Sequence, residues 1–263
     1  MHISEEDLLQ KYIPFNKSVP YKEFNISPIK LRDVYDVQNI LDILQIDKNN
    51  LGEIRFISMS NLRFILGVIY QEDKYQYELT MLLSKALGLS DDEVIQIDIG
   101  DDYERLIIGK TIKEIYGYNI IDEKEARVIS ANDFDEIIRI ILYQNILDYT
   151  DRYIDPDVKK AAEDYWRLKN KGAIKVPLEH KMICVQLKTG MTLEAIGDLT
   201  IRNFFQLFDV IAEESEYIAA KTAEFNGVTF KSPIEHWAYK ARKDKYAEAF
   251  CDADAFINEI QSV

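Results

Sequence analysis

His180 and Cys184 stand four residues apart, with Glu179 beside the histidine. On a helix that spacing puts both on one face, half of a zinc site or a cysteine–histidine pair. Zinc needs two more ligands. The remaining histidines are His2, at an unanchored terminus, and His236, after a proline-started turn. Cys184 is flanked by Met182, Ile183, Val185 and Leu187, so a small apolar core cysteine and no metal is the expectation. Asp98, Asp101, Asp102 and Glu104 are acidic enough for a cation, but the EF-hand spacing is missing, which predicts a solvated hairpin tip. Glu213, Glu214 and Glu216 read as the solvated face of a helix, because acid–base pairs need burial to separate their pKa values. No G-x-x-x-x-G-K-S/T, G-x-G-x-x-G or G-x-S-x-G is present. The residues therefore predict no catalysis and no cofactor.

The totals narrow the class further. A chain of 263 residues holds one large domain or two small ones. At 47% hydrophobic it is too apolar for a disordered chain. No apolar run is long enough to span a bilayer, and the acidic start MHISEEDLL predicts no signal peptide. Two cysteines, Cys184 and Cys251, make no disulfide framework. A net charge of −14 repels nucleic-acid phosphate, and Asp244 and Glu248 interrupt the basic group Lys240, Arg242, Lys243 and Lys245. No nucleic-acid or membrane partner is expected.

The periodicities give a mainly α fold with a minor β part, an α+β class. Residues 1–130 read as a mixed region and 131–263 as an all-helical bundle. Ser4 caps a helix over 3–12, and residues 19–30 form a short extended pair in which Tyr21, Glu23 and Asn25 alternate against Phe24 and Ile26. Helices follow at 32–46, from Ser58 to Tyr70 and from Tyr75 to Gly88. Ser90 and Glu93 have capping-box spacing. Alternation through Ile95, Ile97 and Ile99, then Leu106 and Ile108, predicts a hairpin turning near Gly100–Asp102, and 111–130 offers further short strands. Beyond Ser130, Asn132 or Asp133 starts a helix whose run IIRIIL implies burial on most sides. Asp155-Pro156 opens a charged helix ended by Gly172, Pro177 to Thr189 forms another, and Thr192 caps a short one. Ser232-Pro233-Ile234-Glu235 has the marks of one more helix start.

The organising element is Thr200 to Asn226. Ile201, Phe204, Phe208, Ile211, Ser215, Ile218, Thr222 and Phe225 line one face of a long helix. The large apolar first half predicts core, with Phe204 and Phe208 almost fully buried. Ser215 and Thr222 dilute the second half, which predicts a rim or a partner surface. Trp237 is a further contact candidate. A last helix, Arg242 to Gln261, has the narrow seam Tyr246, Phe250, Ala253, Ile257 and Ile260. Ser215, Thr222, Trp237, Tyr246, Phe250, Ile257 and Ile260 are the candidate partner-binding residues.

Three stretches carry a resemblance: DFDEIIRIILYQN (133–145), ICVQLKTGMTLEAIGDLTIRNFFQLFDVI (183–211) and FKSPIEHW (230–237). Together they resemble a protein encoded in tail-gene clusters of phages and prophages of Gram-positive bacteria. SMSNLRFILGVIY and YELTMLLSKALGL resemble its middle part more loosely. The resemblance implies a non-enzymatic tail assembly chaperone that shields the tape-measure or another tail component in the host bacterial cytoplasm. It supplies no active-site residue; most matching positions have plain structural roles, Arg202 as a surface residue among them. Alternatives in other classes are a baseplate or tail-end subunit retained in the virion, and a phage protein acting on host defence. Phage tail proteins are the implied partners, and self-association into a homo-oligomer stays open.

Overall fold

The computed structural model describes residues 2–69, 73–115, 118–121, 125–152, 154–169, 171, 176–230 and 232–239. The protein is 59% helical and 15% strand, so the α+β expectation holds. Its contacts divide into two units: Met1–Tyr149 with Gly197–Arg202, and Thr150–Ile196 with Asn203–Val263. The expected seam helix with Tyr246, Phe250, Ala253, Ile257 and Ile260 lies outside the described residues, as do Tyr70 and Gly172.

In the first unit, Ser4 Oγ accepts the Asp7 N–H and opens α1 (Glu5–Asp7), which widens into a π turn at Leu8–Tyr12. β1 (Val19–Tyr21) and β2 (Phe24–Ile26) form a hairpin that pairs Tyr21 with Phe24. Directly paired residues share a face of the ladder. Tyr21 is therefore buried with Phe24 and Ile26, where alternation alone had set it on the opposite side. α2 (Val34–Ile43) buries Val34, Val37, Ile40 and Leu41. The predicted helix from Ser58 splits into α3 (Ile54–Ser58) and α4 (Asn61–Ile69), because Ser60 Oγ accepts the Arg63 N–H and restarts the helix. α5 (Asp73–Leu87) ends at Gly88, whose φ of 62° is left-handed.

The sheet is antiparallel and centred on β4 (Glu104–Ile115). β3 (Glu93–Ile99) pairs with it across the predicted turn. β5 (Tyr118–Ile121) pairs with its end and β6 (Arg127–Ser130) with its start. The Ser90–Glu93 spacing serves a strand instead of a helix: the Glu93 carboxylate accepts the Ser90 N–H at 3.0 Å and steadies the entry to β3. At the turn, Arg63 from α4 donates to the Gly100 carbonyl at 2.7 Å and pairs with Glu104 at 3.2 Å. The acidic hairpin tip is thus held by an arginine.

α6 (Ala131–Asn145) is the centre of this unit. Ser130, not Asn132 or Asp133, is its N-cap. Phe134, Ile137, Ile138, Ile140, Ile141, Leu142 and Tyr143 are buried, as the run IIRIIL requires. Its polar residues staple the rest. Asn145 Oδ1 accepts the Ile29 N–H at 2.9 Å, and Gln144 donates to the Ile26 carbonyl at 3.0 Å. Glu136 accepts the Ile3 N–H at 2.9 Å and pairs with His2 at 2.8 Å, so the N-terminal segment is anchored, contrary to expectation. Arg202 is not a plain surface residue either. It donates to the carbonyls of Tyr143 at 3.0 Å and Ile146 at 2.5 Å, satisfying acceptors that a helix end leaves open.

In the second unit, Asp155 Oδ1 accepts the Asp157 N–H at 2.9 Å and starts α7 (Pro156–Lys169). α8 (Leu178–Thr189) stops at Gly190, φ 73°. Thr192 Oγ1 accepts the Ala195 N–H at the start of α9 (Leu193–Gly197). α10 (Ile201–Phe225) is the predicted long helix; its residues from Asn203 belong to this unit. Ser232-Pro233 starts no helix. The chain stays irregular to a 3-10 turn at Trp237–Tyr239, where His236 Nδ1 accepts the Ala238 N–H at 3.2 Å. The histidine supplies the cap that the serine was expected to give. Among the described residues no helix is long and apolar enough to cross a membrane.

Candidate functional site

α10 does not bury its apolar stripe uniformly. Phe204 is fully buried and rests edge-on against Phe205 at 5.3 Å between ring centroids. Phe208, expected in the core, is only half-buried. Further along, Ile218 is 51% and Phe225 92% exposed. α8 lies beside the Phe208–Ser215 part of this stripe. Val185 of α8 is buried, while its Ile183 and Leu187, on other faces of the same helix, stay exposed. Cys184 is exposed too, against the expectation of a core cysteine.

These surfaces enclose a groove of about 400 Å³, lined by Cys184, Leu187 and Lys188 from α8 and by Phe208, Ile211, Ala212 and Ser215 from α10. Its α10 residues repeat at three and four, so they form one ridge. The Ser215 hydroxyl donates to the Ile211 carbonyl at 2.8 Å and spends its polarity on the helix itself. The floor is therefore apolar. Lys181 closes one end, its amine 5.0 Å from the Phe205 ring centroid and 5.3 Å from that of Phe208. Lys188 stands at the rim, 3.9 Å from Glu214. An apolar floor with charged edges has the character of surfaces on which an amphipathic helix or an apolar side-chain row packs.

Of the predicted contact residues, Ser215 lines this groove. Thr222 is exposed beyond its end, its hydroxyl bonded to the Ile218 carbonyl at 2.8 Å. Trp237 is half-buried and stacks on His236, whose ring lies 4.7 Å from Tyr217 on α10. Tyr246, Phe250, Ile257 and Ile260 fall outside the described residues. His180 is exposed one turn before Cys184, and no group of three metal-ligating side chains exists among the described residues. The contribution of α8 was missed. Its run Met182, Ile183, Val185, Leu187 was the available signal: apolar residues on every face exceed what one neighbouring helix covers.

Buried carboxylates do occur, in the first unit, and they too were missed. Glu78 accepts from Asn39 at 2.7 Å and from the Ile40 N–H at 2.9 Å. Asp133 accepts from the Tyr21 hydroxyl at 2.9 Å and Ser130 Oγ at 2.8 Å, and pairs with Lys22 at 2.5 Å. Burial alone would raise its pKa; the three donors outweigh that and hold it at about 2. Burial, then the same hydrogen bond, pushes the Tyr21 hydroxyl well up from its ordinary value. A carboxylate held in its ionised form by three donors ties α6 to the β1–β2 hairpin.

No protein-family model, no curated protein and no solved structure matches the chain.

Proposed function

We propose that this chain is a non-enzymatic phage tail morphogenesis protein, a tail assembly chaperone that shields the tape-measure or another tail component before assembly. The observation that supports it is the apolar groove of Cys184, Leu187, Phe208, Ile211 and Ala212, left open between charged rims. A long helical tape-measure exposes apolar stripes until the tube surrounds it, and such a groove takes one apolar helix face at a time. The net charge of −14 keeps a chaperone–client complex in solution. The place of action in this reading is the host bacterial cytoplasm.

Co-expression with the long helical protein of the same tail-gene cluster tests the proposal. The two proteins co-purify, and Ile211→Asp, which puts a charge on the groove floor, releases the client while the melting temperature holds. Absence of co-purification, or binding indifferent to Ile211→Asp, overturns the reading. Recovery of the chain in stoichiometric amount from purified particles assigns it to the virion as a structural subunit instead.

A further inference from the structure

We propose that the outer edge of β3 is a docking surface that takes up an extended segment of another protein as an added strand. The segment it fits alternates apolar residues at its centre and carries basic residues at both ends. The edge belongs to the first unit, so the proposal stands apart from the groove of α8 and α10 and from the chaperone reading.

The ladder itself shows which backbone groups face outward. The Thr111 N–H donates to the Asp92 carbonyl at 3.0 Å, and the Gly100 N–H to the Tyr103 carbonyl at 2.8 Å. Opposed residues of an antiparallel pair exchange their bonds at every second position. Through the register, Val94, Gln96 and Asp98 therefore turn their backbone groups toward β4, and Glu93, Ile95, Ile97 and Ile99 turn theirs away. The Ser90 carbonyl takes the Glu93 N–H at 3.0 Å. The N–H groups of Ile95, Ile97 and Ile99 meet no backbone acceptor among the described residues, where β3 pairs with β4 alone. β6 bonds the same stretch of β4 from the opposite side.

Edge strands are ordinarily guarded by shortness, lysine, proline or a bulge. β3 has none of these. It runs for seven residues, EVIQIDI, about 20 Å, and its register with β4 is unbroken. Its two carboxylates are already engaged, Glu93 by Arg127 and Asp98 by Arg105 at 2.7 Å. Ile95 and Ile97 stand opposite Ile108 and Leu106, which are fully buried, yet are themselves only half-buried. A strand added beside them extends the buried face by one row, so its residues on that face are apolar.

Charge selects the occupant. Asp91 at one end of the strand, and Asp101 and Asp102 at the other, are exposed and make no ion pair among the described residues. A second copy fits poorly for that reason. Two β3 strands paired antiparallel about Gln96 keep the bonding phase, but each Asp91 then stands opposite the other copy's Asp101. Like charges directly opposed destabilise a ladder, and here they fall at both ends. A segment with lysine or arginine at each end meets the opposite sign at each.

The probe is the fluorescent synthetic peptide KKVTVTVKK, titrated into the full-length chain and followed by anisotropy. It should bind at least about tenfold more tightly than EEVTVTVEE, and the gap should narrow as salt is added. On binding, amide exchange at Ile95, Ile97 and Ile99 should slow by at least about tenfold, while Val94, Gln96 and Asp98 change little. N-methylation of alternate peptide amides should abolish binding in one of the two alternating sets and spare it in the other, since only one set faces β3. Ile97→Pro removes an outward N–H, leaves the ladder to β4, and should abolish binding. Asp91→Lys, Asp101→Lys and Asp102→Lys together, all at exposed positions, should reverse the preference between the two peptides. No binding of KKVTVTVKK at about 1 mM overturns the proposal. So does binding equally sensitive to both methylated sets, or slowed exchange elsewhere than at the three isoleucines. Slow exchange at Ile95, Ile97 and Ile99 without peptide, lost on dilution by about a hundredfold, overturns it in favour of a second copy. Should Ile97→Pro fail to fold, the methylated peptides, which leave the chain intact, decide.

Discussion

Asp133→Asn isolates the charge at the centre of the first unit. Asparagine keeps the shape and a carbonyl for the Tyr21 hydroxyl, and the Ser130 hydroxyl can turn to meet the amide. The main loss is the pairing with Lys22. Asp133 is buried, with 11% of its side chain exposed, so solvent screens the pair little on that side. Holding the carboxyl at about 2, against its ordinary 3.8, is worth about 2–3 kcal/mol of stability at neutral pH. The pKa is depressed in the fold. The stabilisation is therefore complete above the unfolded value and is lost as the pH falls through the folded one. Urea unfolding of both chains should show the full difference at about pH 7 and 5, less at about pH 3, and almost none near pH 2. Far-UV circular dichroism is the probe, since Trp166 and Trp237 both lie in the second unit. A difference that stays constant from pH 7 to 2.5 would refute the electrostatic account, and so would an Asp133→Asn chain as stable as the native one at pH 7.

Phe204→Ala should cost about 3–5 kcal/mol and Phe208→Ala only about 1–2, because the first ring is enclosed and the second half open; equal losses in chemical denaturation would deny the groove. Arg202→Ala strips the donor from the Tyr143 and Ile146 carbonyls and should cost about 1–3 kcal/mol, with faster amide exchange at the end of α6; unchanged exchange there contradicts the clamp. Dialysis against a chelator should leave the melting temperature in place, and a drop with recovery of stoichiometric zinc would return His180 and Cys184 to a metal site.

Much of the fold is legible in local sequence because it rests on local physics. The hairpin of β3 and β4, the caps at Ser4, Asp155 and Thr192, and the glycine stops at Gly88 and Gly190 each depend on residues within a few positions. The failures share another cause. Tyr21 is placed by its cross-strand partner, and Ser60 divides α3 from α4 although SMSNLRF reads as continuous helix. Arg202 and Glu136 take their roles from residues 56 and 133 positions away in sequence. Phe208 was misjudged for a related reason. A stripe of three- and four-residue spacing shows which face of α10 is apolar; it does not show how far a neighbour covers that face.

The candidate site was legible only by half. One wall, α10, announces itself by its stripe, and Ser215 was picked out because it dilutes that stripe. The other wall, α8, has no single apolar face, so periodicity says nothing of where its side chains go. Val185 is drawn inward and Leu187, two residues on, is 80% exposed. A helix apolar on more sides than its neighbours bury leaves surface uncovered, and the fold here closes only the end at Phe204. The cost of the exposed remainder scales with its apolar area. That cost is what an apolar helix face laid along Phe208, Ile211 and Ala212 would recover.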